Sequence, residues 1–218
     1  MKRGRFVTFE GGEGAGKSTQ VARLLERLRE HGLGAIATRE PGGSDFGEQV
    51  RRFILDPDTA PHPALAEALL FSAARVDHIE KVIAPALANG EWVICDRFAD
   101  STRAYQGAAG GVSDAAMDTL EALVLKDCRP ALTIILDLPA KQGLVRVGLR
   151  AGRDVGSDHG DPYEARALDF HEALRTGFLT IAKGQPERCV LIDGTQDEDT
   201  VAGLIWQAVE ARLLPGAG

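Results

Sequence analysis

The run Gly11-Gly12-Glu13-Gly14-Ala15-Gly16-Lys17-Ser18-Thr19 constrains this chain more than any other feature. It fits the spacing G-x-x-x-x-G-K-[ST], with Gly11 and Gly16 as the fixed glycines. An apolar strand pattern, Phe6 to Phe9, precedes it, and a helical one in Val21, Leu24, Leu25 and Leu28 follows. A loop so placed aims backbone N–H groups and a helix N-terminus at one anion. Gly11, Glu13, Gly14, Ala15, Gly16, Lys17, Ser18 and Thr19 are therefore the expected cradle for the phosphates of a nucleoside triphosphate. Lys17 is expected to span the outer phosphates. Ser18 is expected to offer its hydroxyl to Mg²⁺, a hard cation that takes oxygen ligands. The motif specifies nucleotide and is silent on the reaction.

Around this loop, short apolar runs alternate with longer helical patterns. The runs Arg5 to Glu10, Ala35 to Arg39, Glu91 to Asp96, Leu132 to Leu138 and Cys189 to Asp193 read as strands. Their near-continuous apolar content suits a parallel sheet covered on both faces. Helices are predicted over Lys17 to His31, Phe46 to Leu55, Pro63 to Ala88, Ser113 to Lys126, Pro139 to Arg150, Tyr163 to Lys183 and Asp197 to Leu213. The expectation is a single three-layer α/β/α domain, residues 1–218, with a parallel sheet of about five strands. Two glycine-rich stretches read as mobile or exposed, Gly107 to Gly111 and Ala151 to Asp161.

Composition narrows the partners. With 44% apolar and 26% charged residues and a formal charge of −7, the chain has the balance of a globular protein that repels polyanions. DNA, RNA and a membrane are thus excluded as expected partners. Three widely spaced cysteines, Cys95, Cys128 and Cys189, suit a reducing, cytoplasmic compartment rather than a disulfide framework. The five histidines lack the spacing of a zinc site.

A guanine reader of the Asn-Lys-x-Asp type is missing from Leu136-Asp137-Leu138-Pro139, which disfavours a GTPase and leaves a small-molecule kinase as the better fit. Further motifs then occur in order: FEGGEGAGKST (Phe9 to Thr19), TREPGG (Thr38 to Gly43), AAR (Ala73 to Arg75), DRF (Asp96 to Phe98) and AYQG (Ala104 to Gly107). Together with PALANGEWVICDR, RPALTIILDL and IDGTQ, they make the chain resemble bacterial thymidylate kinases over nearly its whole length. The resemblance implies the P-loop NTPase fold with a short lid, and transfer of the γ-phosphoryl group of ATP to thymidine 5′-monophosphate (dTMP). It also implies a Mg²⁺ requirement and a homodimer. The chemistry agrees, because a phosphomonoester is already largely dianionic near neutral pH and needs no general base. Two anions meeting in line need arginines, a lysine and a metal instead.

Asp96 and Arg97 follow an apolar strand, at the end where open α/β sheets bind ligands. By resemblance Arg97 clamps the acceptor phosphate and the transferred group, while Asp96 orients it or binds the metal's water shell. Arg39 and Arg51 approach the same phosphate from the other side, Arg39 being equally suited to a structural ion pair and Arg52 competing with Arg51. Phe71 and Arg75, four apart, share a helix face on which a ring stacks on thymine and a guanidinium reaches its O4. A phenylalanine inside Leu69-Leu70-Phe71 is ordinarily core; the resemblance turns that reading toward the base. Thr102 and Gln106 are assigned to the N3 edge and Tyr105 to the sugar's C2′. Glu13, an acid in an anion-binding loop, is assigned to a sugar hydroxyl or to hydrated Mg²⁺.

No arginine lies in the loop from Gly11 to Lys17, so the resemblance places a catalytic positive charge in a lid at residues 151–161. There the chain departs from its relatives: Asp161-Pro162-Tyr163-Glu164 carries proline where they commonly carry arginine. Arg150 and Arg153 are the candidates for that charge. Two alternatives stay open on the sequence: a kinase for uridylate or deoxyuridylate, since one methyl group is worth only about 1 to 3 kcal/mol, and a nonenzymatic ATP-dependent switch.

Overall fold

The computed structural model describes residues 4–56, 58, 59, 61–151, 163, 164 and 166–214. Five strands, β1 (Phe6–Glu10), β2 (Ala35–Arg39), β3 (Trp92–Asp96), β4 (Leu132–Asp137) and β5 (Cys189–Asp193), form one parallel sheet in the order β2-β3-β1-β4-β5. Every residue of β1 is buried, whereas the edge strands β2 and β5 mix buried, half-buried and exposed positions. Even the polar Thr8 fits the centre, because its hydroxyl meets that of its register partner Thr133 at 2.8 Å.

Helices cover both faces: α1 (Lys17–Glu30), α2 (Asp45–Leu55), α3 (Ala64–His78), α4 (Ala84–Ala88), α5 (Ala99–Thr102), α6 (Asp114–Leu125), α7 (Ala140–Ala151), α8 (Leu168–Gly184) and α9 (Glu198–Leu213). One core joins α1 and α9 to the sheet through Leu24, Leu28, Ile205 and Val209 packed on Val7, Phe9 and Ile134. A second, around Phe6, Ile83, Val93 and Phe98, fills the opposite face.

The predicted helix over Pro63 to Ala88 is present but not uniform, since a π-helical turn (Ile79–Ile83) joins α3 to α4. The amide of Ala84 reaches back five residues to the Ile79 carbonyl. Pro85, one residue later, has no N–H to give and its ring crowds the carbonyl four residues back, which a widened turn relieves. A second difference lies after β3. There α5 runs into another π-helical turn (Arg103–Ala108), and Gly107, expected in a mobile stretch, is buried within it. This segment is too short for a periodic signal, and tertiary contact holds it: Gly177 of α8 packs so closely that an added Cβ would stand 2.8 Å from the Ala108 Cβ. The third difference is that α8 begins at Leu168 rather than Tyr163, because Tyr163 is drawn into an edge-on contact with Tyr105 at 5.4 Å.

Three of the helices cap themselves. Ser44, Ser113 and Asp197 accept hydrogen bonds from the first-turn amides of α2, α6 and α9. At α1, by contrast, the preceding residue is Gly16 at φ 90°, which has no side chain to cap with, so the first amides stay open toward the loop. All three cysteines are buried and unbridged. No helix among the described residues is long and apolar enough to cross a membrane.

Candidate active site

The carboxyl ends of β1 and β3 open into a single cleft. The phosphate loop forms its floor, joined by Arg39 and Arg51, by Phe71 and Arg75 from α3, by Asp96 at the end of β3 and by Arg97 just after it. Thr102, Tyr105, Gln106, Tyr163 and Glu164 complete the lining. Fourteen of the expected site residues outside the glycine positions therefore meet around one cavity: Glu13, Ala15, Lys17, Ser18, Thr19, Arg39, Arg51, Phe71, Arg75, Asp96, Arg97, Thr102, Tyr105 and Gln106. Their convergence follows from the strand order, because β1 and β3 are neighbours although eighty-one residues part them in sequence.

The loop itself is held by contacts only glycine allows. Gly14 has φ 68°, and a Cβ there would lie 2.3 Å from the Gly143 carbonyl oxygen; a Cβ on Gly143 would lie 2.2 Å from that of Glu13. The loop thus rests directly on α7. Lys17 folds back over it, donating to the Gly11 and Gly12 carbonyls at 3.1 and 2.9 Å. Ser18 Oγ donates to Asp96 Oδ2 at 2.6 Å, bringing a hydroxyl and a carboxylate together at the end of the loop.

Arg97 occupies the left-handed region at φ 67°, a conformation costly for a residue with a Cβ. Its amide donates to Phe9 O at 2.9 Å, and its guanidinium donates to Gly11 O, Ser101 Oγ and Glu13 Oε1 at 3.1, 3.3 and 2.8 Å. The same Glu13 oxygen accepts the Tyr105 hydroxyl, over whose ring the Arg97 guanidinium sits at 5.0 Å. The acid in an anion-binding loop thereby finds its reason: its side chain leaves the loop and pairs with Arg97 and Tyr105.

At the base end, Arg75 is buried and anchored at three points, Nε to Glu40 at 2.7 Å and Nη2 to Phe98 O and Thr102 Oγ1 at 3.2 and 3.0 Å. Nη1 makes no hydrogen bond to a described residue. Phe71 beside it is half-buried on the cavity wall. Arg51 donates to Pro41 O at 3.1 Å, whereas Arg39, 58% exposed, is ion-paired to Glu48 at 2.9 Å.

A family model described as thymidylate kinase matches residues 9–205. The chain belongs to the thymidylate kinase family. Among curated thymidylate kinases, that of Rhodopseudomonas palustris (strain CGA009) is 52% identical over 216 residues, covering 99% of this chain and 92% of the relative. That of Bradyrhizobium diazoefficiens is 50% identical over 213 residues, 98% and 92% of the two chains. The crystal structure of thymidylate kinase from Ehrlichia chaffeensis superposes with a TM-score of 0.74 at 33% identity, spanning 95% of this chain and 99% of the other.

The kinase's electrostatics centre on four groups. Burial, joined by the Arg97 charge, lowers the Lys17 ammonium to about 8 against the pull of Glu13, Asp96 and Glu10. Burial pushes Glu13 up, but Arg97, Lys17 and the Tyr105 hydroxyl outweigh it and hold the carboxyl at about 2. Burial also opposes the charge of Arg97, yet Tyr105, Glu13, Asp96 and Glu10 raise it above the ordinary guanidinium range. Glu10 is pushed up to about 8 by burial and by Asp100.

Sequence reasoning passed over several supporting groups. Glu10 Oε1 accepts the Phe98 amide at 2.8 Å and Glu10 Oε2 the Ser101 hydroxyl at 2.5 Å, so it pins the turn that carries Arg97. Glu40 holds both Arg75 and His78, the latter at 2.9 Å. Arg188 grips Asp100 through both terminal nitrogens at 2.7 and 2.9 Å. Glu10 and Glu40 stand inside motifs already recognised; for Glu10, an acid ending a buried apolar run was the available signal. Nothing local marked Arg188, which reaches Asp100, beside Ser101, from the edge of the sheet.

Arg153 and the rest of the expected lid beyond Ala151, through Gly152, Gly156, Gly160 and Pro162, lie outside the described residues, as does the side chain of Arg150. The preceding Arg146 donates to Gly194 O at 3.2 Å.

Proposed function

We propose a division of labour among the cleft residues for the reaction of this kinase, ATP-dependent phosphorylation of dTMP to dTDP. The single observation that carries it is the position of Arg97, strained in backbone, next to the phosphate loop and facing the acceptor pocket. ATP phosphates take the open amides at the start of α1 and the Lys17 ammonium, whose present carbonyl partners yield to stronger anionic ones. Arg97 bridges acceptor and transferred groups, with Glu13 as its rest partner. Charge neutralisation does the work, since a loose transition state spreads charge over the equatorial oxygens.

Ser18 and Asp96 fit Mg²⁺, being adjacent hard oxygen donors at the end of the loop. Ser18 and Asp96 would hold the ion; among the described residues no group of three or more His, Cys, Asp or Glu side chains able to hold a metal occurs. When bound, Mg²⁺ contributes neutralisation of the phosphate oxygens. Phe71 stacks on thymine, Arg75 Nη1 donates to its O4, and Thr102 and Gln106 read the N3 edge. Tyr105 fills the space a ribose 2′-hydroxyl would need, while Arg39 and Arg51 steer the acceptor phosphate. The lid arginines, Arg150 and Arg153, complete the charge.

A homodimer is part of this reading. Leu65, Leu69 and Val76 are exposed on α3, and Phe53 on α2 and Leu123 on α6, two helices that pack against α3, are exposed as well; exposed apolar surface of this kind marks an interface. A cytoplasmic location suits the buried thiols. The test is ADP release from ATP and Mg²⁺ across dTMP, dUMP, UMP and dCMP. A clear dTMP preference, absent without acceptor, is expected; nucleotide exchange without transfer would overturn the reading in favour of a switch.

A further inference from the structure

Gln106 is almost wholly buried on the wall of the base pocket, and its amide is half satisfied. Nε2 donates to Glu67 Oε2 at 2.9 Å and to the Tyr163 hydroxyl at 3.2 Å. Oε1 has no hydrogen-bond partner among the described residues. A buried acceptor left unmet costs about 1 to 3 kcal/mol, so such an atom on a residue that lines a ligand cavity marks a place for a donor. Which end of the amide faces the ligand is decided behind it. Glu67 is buried, 3% exposed, and a carboxylate only accepts, so it compels Gln106 to turn its NH₂ inward. Arg166 Nη2, 3.5 Å from Glu67 Oε1 and stacked over the Tyr163 and Phe170 rings, holds that carboxylate from the other side.

We infer that Glu67 is a specificity-determining positioning residue: by locking the Gln106 amide it fixes the pocket as an acceptor opposite N3, admitting bases that carry an N3–H and rejecting those with an N3 lone pair. This rests on the assignment of the pocket to the base of the acceptor nucleotide. Thymine offers N3–H to Gln106 Oε1 and O4 to Arg75 Nη1. Cytosine offers a lone pair and an amino group, the wrong polarity at both. The Arg75 half of this discrimination is intrinsic to a guanidinium, which only donates. The Gln106 half is not, because an amide can turn over, and it therefore depends on Glu67.

Glu67→Gln is the informative change because it keeps size and alters polarity. Arg166, a donor only, would take the carbonyl of the new amide, leaving its NH₂ toward Gln106. Gln106 would then turn its oxygen inward and show NH₂ to the base. The expected result is a rise in KM for dTMP larger than the fall in kcat, and at least a tenfold drop in the ratio of kcat/KM for dTMP over dCMP. In a Gln106→Met background, the same Glu67 change should leave that ratio where Gln106→Met alone puts it. A ratio within twofold of the unaltered enzyme, or an equal drop in the Gln106→Met background, overturns the proposal. The unaltered enzyme is assayed in parallel with dTMP methylated at N3, so that poor folding of Glu67→Gln does not remove the test. A loss of a hundredfold or more in kcat/KM is expected, and parity with dTMP overturns the proposal. Failure of the unaltered enzyme to turn over dTMP would instead overturn the acceptor assignment itself.

Discussion

Arg97 permits a separation of backbone strain from catalytic charge. Replacing it by alanine or by glycine removes the same guanidinium, with its bonds to Gly11, Ser101 and Glu13. The two variants differ in what a Cβ costs at φ 67° and in the freedom of the unfolded chain. A residue with a Cβ pays about 1 to 2 kcal/mol in the left-handed region, and glycine gives back about 0.5 to 1 kcal/mol through its looser unfolded chain. Arg97→Gly should therefore be more stable than Arg97→Ala by about 1 kcal/mol, or roughly 2 to 4 °C in Tm for a chain of this length. Thermal unfolding by circular dichroism measures the difference. In steady-state assays both variants should lose about 10² to 10³ in kcat, the effect of removing one preorganised transition-state ligand, with ATP affinity little changed. An Arg97→Gly midpoint at or below that of Arg97→Ala would refute the strain. Near-normal kcat in either variant would refute the clamp, and loss of ATP binding alone would move Arg97 to the donor side.

Lys17→Ala should keep the fold and lose most phosphoryl transfer, about a hundredfold or more; single-turnover rates with unchanged circular dichroism check it. Glu13 is held at about 2, below its ordinary 4.5, so its contribution to stability is complete above about pH 4.5 and is lost as pH falls through about 2. Chemical denaturation between pH 6 and pH 2 should show a shallower acid decline for Glu13→Gln, and an unchanged slope would contradict the Arg97 and Lys17 pairing. The deoxyribose preference should survive Tyr105→Phe, because the ring and not the hydroxyl fills the space at C2′; equal rates with the ribose monophosphate in the unaltered enzyme would make Tyr105 a packing residue. Arg150→Ala and Arg153→Ala should each leave dTMP binding nearly unchanged, and at least one should slow single-turnover transfer. If neither does, the catalytic charge comes from elsewhere.

Much of this kinase was written in local pattern. A phosphate loop is a continuous stretch whose function resides in its own backbone, so Gly11 to Thr19 could be read without knowing what surrounds them. The five strands could likewise be read, because a helix-covered parallel sheet demands unbroken apolar runs, and the core side chains of β1, β3 and β4 supply them. What the chain concealed was every feature made by residues distant in sequence. Whether Phe71 lined a cavity or filled a core depended on where α3 lay against the turn after β3. Arg39 was equally suited to an ion pair and to a phosphate until the fold placed Glu48 against it, while Arg51 donates to Pro41 O. The short helix after β3 had no periodicity to announce it, being held by α8 through the close approach at Gly177. Hydrogen-bond polarity lay deepest of all: a glutamine reads as either donor or acceptor until Glu67, thirty-nine positions away, turns it one way.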